Sequence, residues 1–251
     1  FNELEFRSLL PKLQELNKKL QPVNKTADEE QNKFSAVQKN FDYQLIDDET
    51  KFKKFLAELK QQDEFAFDTE TANFNSLAAE LLGISFSWEK GRAYYIKIDR
   101  QSADWRTKAK SQKSLFDEKR ESKKEAAARG LEIESVIKEL KSIFTDKKIK
   151  KIGHNMKFDV EVMESNGLEV AGIYFDTMIA SYLLNPGTRQ HNLDAVTFNY
   201  LNYQKISKDD LLGKGRNKIS FSQVPTERLA LYSGEDADFT FRLEKKLEGQ
   251  L

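Results

Sequence analysis

The chain has 251 residues, enough for one sizeable domain plus an appendage, and no apolar stretch approaches the length of a membrane span. Lys and Arg number 41 and so do Asp and Glu; this balance argues against a protein that coats nucleic acid by bulk electrostatics, though not against a local basic track. Cysteine is absent, which excludes disulfides and thiolate metal sites and permits a cytoplasmic address. The chain begins with Phe and carries no signal-peptide pattern, so it is expected to be a piece of something longer.

In chain order, residues 1–20 place Leu4, Phe6, Leu9, Leu10, Leu13 and Leu16 at helical spacing, with Pro11 as a break. Residues 21–41 are polar and without apolar periodicity, which predicts a linker. A compact domain is expected from Asp42 onward. DDETKFKKFLAELK (47–60) reads as a helix with Phe52, Phe55, Leu56 and Leu59 on one side. Strands are expected at 64–70, 81–89 and 92–98, the last two joined by a tight turn at Glu89-Lys90-Gly91. Residues 100–130 turn rich in Lys, Glu, Ser and Ala, the composition of an exposed insertion. Helices are expected at 131–144, 157–166 and 177–185, with short strands at 150–155 and 172–176 between them. From 191 the pattern is helical, broken by a turn at 213–218 and ending in a helix over 225–247. The order predicts an α/β domain around a mixed sheet. Met156, Met163 and Met178 have helical settings that predict core positions.

Four acidic positions stand out. FAFDTET (65–71) puts Asp68 and Glu70 on one face of a strand end, away from Phe67. Asp159 follows Asn155 by one helical turn in GHNMKFD, and Asp236 follows Tyr232 by one turn in YSGED. Several carboxylates and no thiol suit hard cations such as Mg²⁺ or Mn²⁺, and a cation between Asp68 and Glu70 would relieve their repulsion. Each position also has a plainer reading. D-x-E at a strand end is ordinarily solvated surface, Asp159 is a good helix-dipole partner, and Asp236 lies beside Glu235 and Asp238, as on a solvated acidic face.

Taken together, FDTET, GHNMKFD and YSGEDAD resemble the three exonuclease motifs of the proofreading domain of family A DNA polymerases, the bacterial DNA polymerase I type. FDTMIASYLLNP, HNLDAVTFNYL and GKGRN resemble its connecting segments, in order, so the likeness covers roughly residues 42–248. The resemblance implies a ribonuclease H-like fold for residues 42–251. It also implies that residues 1–20 are the end of a preceding 5′-nuclease domain, and that a polymerase domain belongs to the same parent chain. By this resemblance Asp68, Glu70 and Asp236 would hold the cation that activates water. Asp68 and Asp159 would serve a second ion, and two Mg²⁺ or Mn²⁺ ions would be bound when nucleotide is present. Tyr232 would position the attacking water; its phenol is too weakly acidic to act as a base at neutral pH.

The resemblance further implies contacts to DNA from Thr69, Phe74, His154, Asn155, His191, Lys214 and Arg216. Phe74 would wedge against terminal bases, and Lys214 and Arg216 would meet backbone phosphates. For Thr69, Phe74 and the histidines an ordinary strand, core or capping role stays open. Lys208 stands where some relatives carry an aromatic, so an ammonium–phosphate contact would replace stacking there. The implied activity is removal of mismatched nucleotides from a single-stranded or frayed 3′ end of DNA by a monomeric, cytoplasmic bacterial protein. The competing expectations are a catalytically silent spacer within a polymerase and a stand-alone exonuclease acting on RNA.

Overall fold

The structure is a computed structural model that describes residues 27–72, 76, 80–99, 130–215 and 218–251, with side chains from residue 32. Helix α1 (Ala27–Asn40) opens it, where the sequence predicts a linker. Phe34 and Val37, one turn apart, are buried; two apolar residues are too few to register as a period. Lys33 pairs with Asp210 at 2.7 Å and the Arg228 guanidinium lies 4.8 Å from the Phe34 ring centre, so α1 docks through tertiary contacts.

Strand β1 (Asp42–Ile46) and helix α2 (Glu49–Leu59) follow. Asp48 caps α2 by accepting the Thr50 and Lys51 N–H groups at 2.8 and 2.9 Å. Strands β2 (Glu64–Thr71), β3 (Leu81–Glu89) and β4 (Arg92–Lys97) form an antiparallel set, and Gly91 supplies the positive φ (83°) that the β3–β4 turn requires. Most of the expected insertion, 100–129, lies outside the described residues, as do residues 1–26. After Leu131, bridged to Ile98, come helix α3 (Ile133–Phe144), strand β5 (Lys150–Gly153) and helix α4 (Met156–Ser165). Strand β6 (Ile173–Asp176) and helices α5 (Thr177–Leu184), α6 (Leu193–Leu201) and α7 (Lys208–Leu212) follow. The long helix α8 (Thr226–Glu248) closes the order.

The sheet runs β1-β4-β3-β2-β5-β6. β1, β5 and β6 join in parallel and the central pairs are antiparallel, so the expected mixed α/β architecture is present. Its two faces differ in side-chain size. One face carries Phe65, Phe67, Ile84, Phe86, Tyr94 and Ile96, which pack with α2 and α3 into an aromatic core. Phe67 and Phe144 meet edge-on at 5.1 Å. The other face carries Ala66, Asp68 and Glu70 on β2 and Gly83, Ser85 and Ser87 on β3. These small residues leave room for α8 and for a pocket. Gly83, opposite Glu70, has no Cβ because one would lie 2.3 Å from the Tyr95 phenol. Gly234 lets α8 approach; a Cβ there would sit 2.9 Å from the Tyr43 ring. No helix among the described residues is long and apolar enough to cross a membrane.

Candidate active site

A pocket of about 540 Å³ opens on this small-residue face. Strand alternation aims Asp68 and Glu70 into it from β2, and α8 brings Asp236 from near the far end of the chain. Ligand oxygens of Asp68, Glu70 and Asp236 all lie within 4.8 Å of one another. Glu70 is 6% exposed and Asp236 7%, which removes the solvated-surface alternatives for both. Glu235 and Asp238 are also buried, so α8 has no solvated acidic face here.

Each remaining site residue is fixed by a local device. Asp159, in the first turn of α4, accepts the Thr69 N–H at 2.9 Å and the Thr69 hydroxyl at 2.6 Å. Thr69, expected to meet substrate, here ties the fourth carboxylate to the strand that carries the first two. Asn155 is the cap position of α4, in the left-handed conformation (φ 59°), and like Asp159 it lines the pocket. Its side chain is exposed at the pocket. Asp176 holds this corner by accepting the N–H groups of Asn155 and Met156 at 3.1 and 2.8 Å and that of Met178 at 2.8 Å. One carboxylate thus caps the starts of both α4 and α5. His154 Nδ1 meets the Thr177 hydroxyl at 2.8 Å, and its Nε2 is buried without a partner among the described residues. Tyr232, 4% exposed, lines the pocket one turn before Asp236.

The electrostatics follow from burial and crowding. Burial first, then Asp159, Asp236 and Glu70, push the Asp68 carboxyl well above its usual range. Burial and Asp236 do the same to Glu70. Asp159 is raised to about 7 by burial, against the pull of its Thr69 hydrogen bonds. Burial also raises Asp236, while Lys205 draws it back. Burial and the Asp236 charge hold the Tyr232 phenol above its ordinary value, so it keeps its proton at neutral pH. Four carboxylates against one buried ammonium leave a surplus of negative charge on oxygen donors, which fits hard metal cations.

The other predicted residues are spread around and beyond the pocket. His191 does not line the pocket; its Nδ1 meets Ser181 Oγ at 3.0 Å and its Nε2 meets the Thr188 carbonyl at 3.0 Å, so both ring nitrogens are used locally. Lys214 is exposed beyond the pocket rim and pairs with Asp209 at 3.7 Å. Phe74 and Arg216 lie outside the described residues. Met156 and Met163 are core, but Met178 lines the pocket and is only half-buried, because Asp176 starts α5 at the pocket edge. Lys208 lines the pocket beside Phe221, 5.8 Å from its ring centre. Sequence reasoning missed Lys205, Asp194, Phe158 and Phe221. Phe158 and Asp194 sit inside the quoted motif segments, adjacent or nearly so to residues that were named; nothing local marks Lys205.

A mixed sheet flanked by helices, with two carboxylates at the end of a central strand and two from helices beside it, is a ribonuclease H-like arrangement. A family described as 3′–5′ exonuclease matches residues 43–251, and the chain belongs to it. DNA polymerase I of Pseudomonas aeruginosa is 29% identical over 249 residues, 98% of this chain and 24% of that protein. DNA polymerase I of Chloroflexus aurantiacus is 31% identical over 208 residues, 82% of this chain and 19% of that protein. The chain is therefore an exonuclease domain homologous to part of DNA polymerase I, and it spans about a quarter or less of the length of these curated relatives. Among solved structures, RNase D of Trypanosoma brucei in complex with GMP superposes with a TM-score of 0.60 at 14% identity, covering 86% of this chain and 59% of that one. NrnC of Brucella melitensis with bound Mg²⁺ gives 0.54 at 22% identity, covering 84% and 82%. At these identities the likeness concerns the fold.

Proposed function

We propose that this domain removes nucleotides from the 3′ end of single-stranded or frayed DNA, as the proofreading unit of a DNA polymerase I. The observation that carries the reading is the convergence of Asp68, Glu70 and Asp236, from two distant parts of the chain, within 4.8 Å. A silent spacer has no use for that arrangement. Two Mg²⁺ or Mn²⁺ ions are the proposed cofactors, with Asp68, Glu70 and Asp236 holding one and Asp68 and Asp159 serving the other. When bound, such cations make water acidic enough to attack at neutral pH and offset the charge that builds on the phosphate.

The chain's own residues do the rest. Tyr232, the tyrosine of the third motif, keeps its proton and orients the attacking water through its phenol oxygen. Thr69 holds Asp159 in place. His154 and Asn155 line the pocket and are the polar residues proposed to meet the terminal nucleotide. Lys208 at the pocket edge, with Arg216 and Lys214 further along the chain, is proposed to meet backbone phosphates. Phe74 is proposed as the wedge at the terminal base. The parent chain is proposed to be cytoplasmic and bacterial, with 5′-nuclease and polymerase domains flanking residues 42–251.

The test incubates the protein with end-labelled single-stranded DNA and Mg²⁺ or Mn²⁺. Stepwise loss of mononucleotides from the 3′ end, stopped by chelator and by Asp159→Ala, is the expected result. No release at high protein concentration would favour a structural spacer instead. A faster reaction on RNA than on DNA would move the reading to a ribonuclease.

A further inference from the structure

Lys205 is a buried lysine inside the acidic site. Its side chain is 0% exposed, and its Nζ is paired with Asp236 Oδ1 and lies 3.5 Å from Asp194 Oδ1. The ammonium also sits 5.2 Å from the centre of the Tyr232 ring. This placement is built by the fold. The loop between α6 and α7 is pinned on both sides of Lys205 by Glu235, which accepts the Tyr203 hydroxyl at 2.7 Å and the Ile206 N–H at 2.6 Å. Glu235 is itself fully buried on α8, one residue before Asp236. The lysine thus has little freedom except along its own side chain. Burial works against its charge, but Asp236, Glu235 and Asp194 more than offset this and hold the ammonium protonated.

The two partners of Lys205 differ. Asp236 is one of the three carboxylates that converge. Asp194, on α6, is about half-exposed at the pocket rim and is not among those three. A cation bound by Asp236 and the Lys205 ammonium would compete for the same carboxylate, and two positive charges within a few ångströms in a buried site repel strongly. Rotation of the lysine side chain toward Asp194 relieves that repulsion without exposing an unpaired charge.

We propose that Lys205 is an internal counter-ion of the metal centre: it occupies Asp236 when no cation is present, must be displaced toward Asp194 for a cation to bind, and so weakens cation binding in the absence of nucleic acid. The proposal rests on the reading of Asp68, Glu70 and Asp236 as cation ligands. It makes Lys205 a positioning residue, since it acts through Asp236. It also gives the site a reason to be assembled before ions arrive: the ammonium partly offsets the mutual repulsion of the carboxylates.

The experiment titrates Mn²⁺, without nucleic acid, into wild-type protein and into Lys205→Met by isothermal calorimetry, with circular dichroism to confirm folding. Lys205→Met is expected to bind Mn²⁺ about tenfold or more tightly. Equal or weaker binding by the folded variant, with clear binding by the wild type, overturns the inference and leaves the cation reading standing. Absence of binding in both proteins removes the cation reading, and this inference with it. A crystal of the wild-type protein soaked in Mn²⁺ gives an answer that does not depend on the variant's folding. The Lys205 ammonium is expected to have left Asp236 for Asp194; an ion in place with Lys205 still on Asp236 overturns the proposal.

Discussion

Helix α8 carries two buried aspartates, two residues apart, in opposite settings. Asp238 accepts four donors: the Tyr43 hydroxyl at 2.7 Å, the Gly91 N–H at 2.9 Å, and Arg242 through Nε at 2.8 Å and Nη2 at 2.7 Å. Asp236 instead faces Asp68 and Glu70 and is ion-paired with Lys205. Both carboxyls are raised by burial, but Asp238 is drawn back by Gly91, Arg242 and Tyr43. Asp236 is drawn back by Lys205 and Lys208 but has Asp194, a neighbour of its own sign, working against them. A buried charge kept for structure is surrounded by donors, whereas one kept for chemistry is left short of them. Asp238 clamps the β3–β4 turn and β1 to α8. The Asp236 cluster gathers like charges whose repulsion an added cation would offset.

The sharpest way to break this comparison is to neutralise one acid on each side. Asp68→Asn should reduce exonuclease turnover on the order of 10³-fold or more, about 4 kcal/mol of barrier. Its thermal midpoint in chelator should equal or exceed that of the wild type, because a repelling charge is gone; a clear fall would mean that the cluster is structural. Asp238→Ala should do the reverse. It leaves Arg242 and the Tyr43 hydroxyl unpaired in a buried site, so urea unfolding should show a loss of about 3 kcal/mol. A loss below about 0.5 kcal/mol would show that the four donors contribute only geometry.

A smaller effect concerns His154, the pocket base whose Nε2 lacks a partner among the described residues. Burial lowers its pKa to about 4, against the pull of Asp176. Between pH 6.5 and about 4 the unfolded chain binds this proton and the folded chain does not, so His154 takes stability away as pH falls through that window. The wild type should therefore lose about 2 kcal/mol relative to His154→Gln between pH 7 and pH 5, measured by denaturant unfolding in chelator. Parallel pH profiles for the two proteins would show that His154 is solvated and already satisfied.

Much of this molecule is legible locally. Strands β2, β3 and β4 and helices α2, α3, α4 and α8 lie within a residue or two of where the apolar pattern puts them, because each buries a continuous face. The four carboxylates and Tyr232 could be named because they sit in short segments whose types and order are specific. Helix α1 was illegible because only Phe34 and Val37 anchor it, through contacts with residues far along the chain. Strand β1 was missed because it pairs in parallel with β4, which no hairpin signal announces. His191 and Lys214 have partners within ten residues, and nothing in the motif pattern announces those partners.

By itself the sequence determined the succession of elements, the two-faced central strand and the supply of acidic side chains, since these follow from periodicities of two and 3.6 residues along a single segment. Only the tertiary structure decided which acids are satisfied and which are not. That depends on Lys205, Glu235, Asp176 and Arg242 arriving from separate elements, and the energy of a buried charge is set by neighbours in space rather than along the chain.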